Sequence, residues 1–213
     1  MKLSTKKEIA EIKDILIAQY SGAKTELEYK NLYELLISVI LSAQCTDKRV
    51  NIIRPALFKK YPSVDELSTA DLDNVKELLK SCSFFNNKAK NIVTMAKKVV
   101  EEFDFQIPLS AKELMSLPGV GQKTANVVMI EYMDANLMAV DTHVFRVSHR
   151  LGLSKATNVK DTEIDLVRKF RDNLAILHQA MVLFGRYRCK AVNPECKDCI
   201  LVEFCKTKKS FKV

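Results

Sequence analysis

Apolar residues recur along this chain at intervals of three and four, the period of helices that bury one face, and nowhere as a run of alternate positions. Ile9, Ile12 and Leu16 share one face of a first predicted helix. Leu32, Leu35, Leu36, Val39 and Ile40 line a second that is almost entirely apolar. A third covers residues 47–58 and is broken by Tyr61-Pro62-Ser63. Short helices are predicted over 64–67 and 71–79, with Ser63, Ser68 and Asp71 offering cap chemistry. A longer one over 87–103 carries Ile92, Met95, Ala96 and Val99 on one face. Helices near 112–116 and over 122–133, 141–151, 161–170 and 173–185 complete an all-α chain.

No repeat or low-complexity tract interrupts this pattern. The longest apolar run, residues 35–41, is broken by Ser38 and falls far short of the roughly 18 residues that span a bilayer. The charged N-terminus has helical alternation and no signal-peptide pattern, so an intracellular protein without a membrane is expected. Its 213 residues can bury one large core or two modest ones. The 34 Lys+Arg against 26 Asp+Glu leave a net charge of +8, which suits an anionic partner, nucleic acid first. Charge alone is equally consistent with a solvated basic surface. The basic tail over 206–212 reads as a frayed, solubilising end.

Cysteine spacing adds chemistry. Cys189, Cys196, Cys199 and Cys205 fall within seventeen residues. Four thiolates so close form a ligand set for one soft metal centre, most naturally a cubane [4Fe–4S] cluster. Zinc is the alternative, although the spacing departs from paired Cys-x2-Cys knuckles. Cys45 and Cys82 stand apart and read as small buried hydrophobes. Upstream, Leu117-Pro118-Gly119-Val120-Gly121 between two helices is a helix-hairpin-helix pattern. Its glycines permit positive φ and let the backbone N–H groups Gly119, Val120 and Gly121 approach a phosphate, a contact that positions DNA without reading sequence. Taken alone, the same turn also suits tight helix packing.

The chain resembles endonuclease III, the bifunctional DNA glycosylase/AP lyase of base-excision repair in the helix-hairpin-helix glycosylase superfamily. Four motifs carry the resemblance, in order from about residue 27 to 205: Leu41-Ser42-Ala43-Gln44-Cys45-Thr46-Asp47, the hairpin continued through Lys123 to Asn126, Val140-Asp141-Thr142-His143-Val144-Phe145-Arg146, and the four cysteines. It implies two lobes with a DNA cleft between them. A six-helix barrel over 26–136 would include the hairpin at about 112–133, and an iron–sulfur cluster domain would combine 1–25 with 137–213.

It also implies roles. Lys123 is the nucleophile that attacks C1′, expels the base and forms a Schiff base that leads to β-elimination. Asp141 supplies acid/base and electrostatic help while capping a helix. Gln44 fills the gap left by the flipped base, and Phe84 stands where relatives carry an apolar wedge, with a core aromatic as its other reading. His143 is a further DNA contact. The substrate class is double-stranded DNA bearing oxidised pyrimidines or abasic sites, acted on by a monomer in the cytoplasm, at the nucleoid if bacterial. Two departures lower the expected positive charge: Gln122 where arginine is frequent, and a 190–195 loop with one lysine and one glutamate. The competing readings are an adenine-mismatch glycosylase of the same superfamily and a non-enzymatic iron–sulfur DNA-binding module. Lys123 and the absence of a carboxylate between Ser38 and Gln44 oppose the first, and the pairing of Lys123 with Asp141 opposes the second.

Overall fold

A computed structural model describes residues 2–210, and among them the regular structure is entirely helical. In chain order the helices are α1 (Lys6–Gln19), α2 (Leu32–Ser42), α3 (Asp47–Lys60), α4 (Val64–Ser68), α5 (Leu72–Leu79) and α6 (Phe85–Glu102). They continue with α7 (Ala111–Leu114), α8 (Gln122–Met133), α9 (Thr142–Arg150), α10 (Val159–Phe170) and α11 (Leu174–Leu183). A π-helical turn, Phe184–Arg188, prolongs α11. Among the described residues no helix is long and apolar enough to cross a membrane. Phe211 and Lys212 of the basic tail lie outside the described residues.

The chain divides into two units, Thr25–Met133 and a second built from Met1–Lys24 with Asp134–Val213. In the first, α2 is buried along its length from Tyr33 to Leu41 and packs against α3, α6 and α8. Its one acidic residue, Glu34, accepts from Arg54 Nη2 at 2.8 Å inside the unit. Removing one partner of such a buried pair costs about 3–5 kcal/mol because the other charge is stranded. In the second unit, α1 lies on α10 and α11, and α9 packs on α10, α11 and the π turn. Ile12, Leu16, Val144, Val147, Leu166 and Leu177 form the centre of its core.

Helix starts follow cap chemistry. Asp71 accepts from Asn74 N–H, Asn158 from Asp161 N–H and Asp141 from Val144 N–H, each at 2.8–2.9 Å. Ser63 stands at the start of α4 but turns its hydroxyl to Glu66, and Ser68 closes that helix on Asp65 O at 2.7 Å, so neither caps as expected. Asn158 also starts α10 two residues earlier than the apolar pattern predicts. Helix α1 starts only at Lys6, where Thr5 and Glu8 form a reciprocal capping box.

Glu8 accepts from Thr5 N–H at 2.6 Å and from Lys206 Nζ at 2.6 Å, joining the first helix to the cysteine-rich segment. The lysine bond, then the Thr5 amide, lower its carboxyl from 4.5 to about 2. A depressed acid contributes its full stabilisation above the unfolded value and loses it as pH falls through the folded value. Glu8→Gln should therefore melt below the parent at pH 7, and the gap should close between pH 4.5 and about 2. Thermal melts across that window check this; a constant gap at all pH values would contradict it.

Candidate active site and metal centre

The hairpin is anchored by two buried side chains, Leu117 and Val120, with Val120 N–H bonded to Leu117 O at 3.1 Å. The two glycines differ. Gly119 has φ +81°, and a Cβ there would meet Asn91 Cβ at 3.0 Å, so both backbone and packing demand glycine. Gly121 has an ordinary φ, contrary to the expectation that both glycines use positive values, and a Cβ on it would meet nothing within 4 Å. The open space lies directly before α8, whose first turn holds no acidic residue. Gly121, directly before the helix, has no side chain to cap its first amides, and with the positive end of the helix dipole this makes the end receptive to an anion. Lys123 is exposed in that first turn, and Gln122 turns along the helix to Asn126 Oδ1 at 2.7 Å.

Gln44 follows α2 and Phe84 precedes α6. Both are exposed and both adopt left-handed backbone, with φ 54° and 57°. Phe84 is 62% exposed, which overturns its core-aromatic reading. Left-handed conformation costs a non-glycine residue roughly 1–2 kcal/mol and persists where surroundings impose it.

In the other unit, Asp141 caps α9 through Oδ1 on Val144 N–H, and a carboxylate keeps a second oxygen with lone pairs to spare. His143, in the same turn, is half-buried. Its Cβ sits where a side chain on Gly185 would intrude at 2.8 Å, and Arg146 Nη2 lies 3.2 Å from its Nδ1. Further along α9, Arg146 donates to Gly185 O at 2.7 Å and Cys189 O at 2.9 Å. Arg150 donates to Lys190 O at 2.7 Å and lies 3.3 Å from Cys189 Sγ. Sequence reading assigned neither arginine a role, although their i, i+4 spacing places both on one helix face.

Cys189, Cys196, Cys199 and Cys205 together line one cavity of about 410 Å³, including the part open to solvent, with Phe184 and Leu201 behind them. All four are free thiols. Burial, then the neighbouring cysteines, push Cys196 and Cys199 above the usual thiol range. Among the described residues no three His, Cys, Asp or Glu side chains converge as ligands of one ion must. Four thiols around one zinc would stand roughly 4 Å apart, given a bond near 2.3 Å. Four thiols lining one cavity are the donor set that an iron–sulfur cluster takes. Glu195 at its rim holds Lys190 at 2.6 Å and Arg188 at 3.0 Å, so the loop's nearby cations are already paired.

Comparison with known proteins places these features in a family context. The model of HhH-GPD superfamily base excision DNA repair proteins matches residues 37–172. The chain is 44% identical to the endonuclease III of Synechocystis sp. over 96% of its own length and 94% of the relative's. It is 40% identical to that of Bacillus subtilis, over 88% and 86% of the two chains. Among solved structures it is similar to endonuclease III in a trapped covalent intermediate with DNA, at TM-score 0.94 and 38% identity over 98% and 99% of the chains. A non-covalent endonuclease III–DNA complex gives 0.93 and 38% over 98% of each.

The asymmetry of the glycines is measurable. Gly119→Ala should lower the melting temperature, with the left-handed penalty alone worth roughly 1–2 kcal/mol. Gly121→Ala should stay within about 0.5 kcal/mol of the parent in denaturant titration. Comparable losses at both positions would contradict the hairpin geometry.

Proposed function

The chain belongs to the HhH-GPD superfamily of base excision DNA repair proteins, within it to the endonuclease III family, and from that premise we propose that it excises oxidised pyrimidines from double-stranded DNA and cleaves the resulting abasic site by β-elimination. The observation that carries this reading is Lys123. An exposed amine stands in the first turn of α8, immediately after an anion-receptive hairpin, in a chain 38% identical to a protein trapped in a covalent intermediate on DNA.

The hairpin amides around Gly119 and Gly121 hold a backbone phosphate, which places the damaged nucleotide without reading its sequence. Phe84 inserts as a wedge, and Gln44 occupies the space the extruded base leaves and hydrogen-bonds its widowed partner. His143 adds a polar contact. The neutral Lys123 amine then attacks C1′. As the C1′–N bond breaks, the base leaves with its electron pair, and Asp141 supplies negative charge for the developing oxocarbenium and accepts the amine proton. The lysine-bound sugar then opens, C1′–O4′ breaking as O4′ takes a proton, to give the C1′ iminium; this acidifies C2′, loss of a C2′ proton expels the 3′ phosphate, and hydrolysis returns the lysine.

Residues 26–136 serve as the six-helix barrel domain and 1–25 with 137–213 as the cluster domain. Cys189, Cys196, Cys199 and Cys205 hold a [4Fe–4S] cluster, which when bound supplies a cross-link to loops with little apolar area of their own. The enzyme works as a monomer on the chromosome, hence in the cytoplasm, at the nucleoid in a bacterium.

Borohydride present during turnover should trap a protein–DNA adduct, and Lys123→Ala should abolish trapping, excision and nicking while lesion binding survives. Asp141→Asn should slow excision about 10²–10⁴-fold, with folding monitored separately since asparagine also caps helices. An adduct formed efficiently by Lys123→Ala would place the nucleophile elsewhere.

The purified protein should be yellow-brown, with iron and sulfide in equal amounts and four of each per chain. Cys196→Ala or Cys199→Ala should give poorly folded, colourless protein. Stoichiometric zinc without visible absorption would overturn the cluster while leaving the glycosylase reading intact.

A further inference from the structure

Lys88 is a lysine only 5% exposed, in the first turn of α6. Buried lysines are ordinarily paired with carboxylates. Among the described residues, the side-chain partners of Lys88 are instead Leu41 O at 2.8 Å and Cys82 Sγ at 3.3 Å. Leu41 belongs to the last turn of α2, where carbonyl oxygens lack helical partners and the dipole favours a cation. The Cys82 thiol itself points to the same carbonyl at 3.5 Å.

The position of these three groups gives the contact its meaning. Leu41 lies three residues before Gln44, Cys82 two before Phe84, and Lys88 donates its own amide to Phe84 O at 3.1 Å. One ammonium thus ties together the roots of two loops whose tips, Gln44 and Phe84, are both exposed and both left-handed. Neither tip has burial to hold its strained backbone, so the constraint must come from below. We propose that Lys88 is the positioning residue that sets Gln44 and Phe84 in register as a pair for insertion into DNA; this rests on the insertion roles given to those two residues above. The ammonium suits the task because it reaches both loops at once through separate N–H donors and, unlike an apolar side chain, fixes the direction of each partner.

The test compares two rates under single turnover: excision of thymine glycol from duplex DNA, and nicking at a preformed abasic site. Extrusion is followed in parallel by the fluorescence of 2-aminopurine placed opposite the lesion. Base extrusion is needed for the first rate and far less for the second. Lys88→Met should slow excision about tenfold or more, change nicking less than about threefold, and suppress the 2-aminopurine rise. Lys88→Arg, which keeps a cationic donor, should recover much of the lost ratio.

Equal losses on both substrates, or a folded Lys88→Met with an unchanged ratio, would overturn the proposal. Gln44→Ala and Phe84→Ala are measured alongside. If they alter the ratio and Lys88→Met does not, only the positioning role fails; if they leave it unchanged, the insertion reading falls and takes this inference with it. Should Lys88→Met fail to fold, Cys82→Val removes the partner beside Phe84. It should shift the ratio about threefold in the same direction, and an unshifted ratio would overturn the proposal.

Discussion

Buried carbonyl oxygens at the ends of helices need donors, and a chain that leaves a helix for an irregular segment must find them outside the backbone. Here cationic side chains supply many of them. Lys88 takes Leu41 O at the end of α2. Arg146 takes Gly185 O and Cys189 O, and Arg150 takes Lys190 O and Ala191 O. Lys13 reaches Phe170 O at the end of α10 at 3.3 Å. Each contact ends on backbone within a few residues of a position assigned chemistry or at a helix terminus. A carbonyl partner does not itself cancel a cation's charge, unlike the carboxylate of Asp172, which Lys13 also meets. A carboxylate in the same positions would hold the loops and neutralise the field that draws DNA phosphate.

Glu195 shows the opposite arrangement. Its carboxylate holds both Lys190 and Arg188, and those two hydrogen bonds, the lysine's first, pull its own pKa down. The loop between Cys189 and Cys196 is therefore ordered by an ion triad at the expense of its field. Gln122, bonded to Asn126, likewise contributes no charge to the start of α8. In the proposed DNA contact, the hairpin amides and the helix dipole therefore carry a larger share than they would with an arginine beside them. Because those partners are fixed by the fold, this contact should depend less on salt than one made by mobile cations.

Much of the fold was legible because period and cap chemistry agreed. The apolar run of α2 gave its burial, and Asp141, Asp71 and the hairpin glycines each announced a boundary through chemistry that few residue types share. Legibility failed where one signal admitted several outcomes. Ser63 could cap through its hydroxyl but bonded Glu66 instead, and the Asn158 cap began α10 at Val159, two residues before the predicted start at 161. The π turn at Phe184–Arg188 left no mark except Gly185, whose need for glycine arises from the approach of His143, a contact far away in sequence. Lys88 was hidden for a different reason. A lysine in a helix ordinarily reads as solvated, and nothing local says that its ammonium points at the end of another helix. Phe84 was ambiguous between wedge and core until its exposure was known, since hydrophobicity supports both.

The cysteine segment ties these arguments together. From Cys189 to Cys205 regular structure is limited to the three-residue turn Val202–Phe204, and among its side chains only Leu201 is fully buried. Such a segment cannot hold itself by apolar burial, and the thiols of Cys196 and Cys199, raised first by burial and then by the neighbouring cysteines, make poor ligands until a metal displaces their protons. Two arginines of α9 and the Lys206–Glu8 contact hold the segment's ends independently of any metal. The same α9 carries Asp141 at its N-terminus, so the helix that orients this proposed catalytic carboxylate also anchors the cysteine loop. Disturbing that loop therefore reaches Asp141 through one short helix, so in the proposed enzyme a cluster held there would act on catalysis by fixing α9 without taking part in bond breaking.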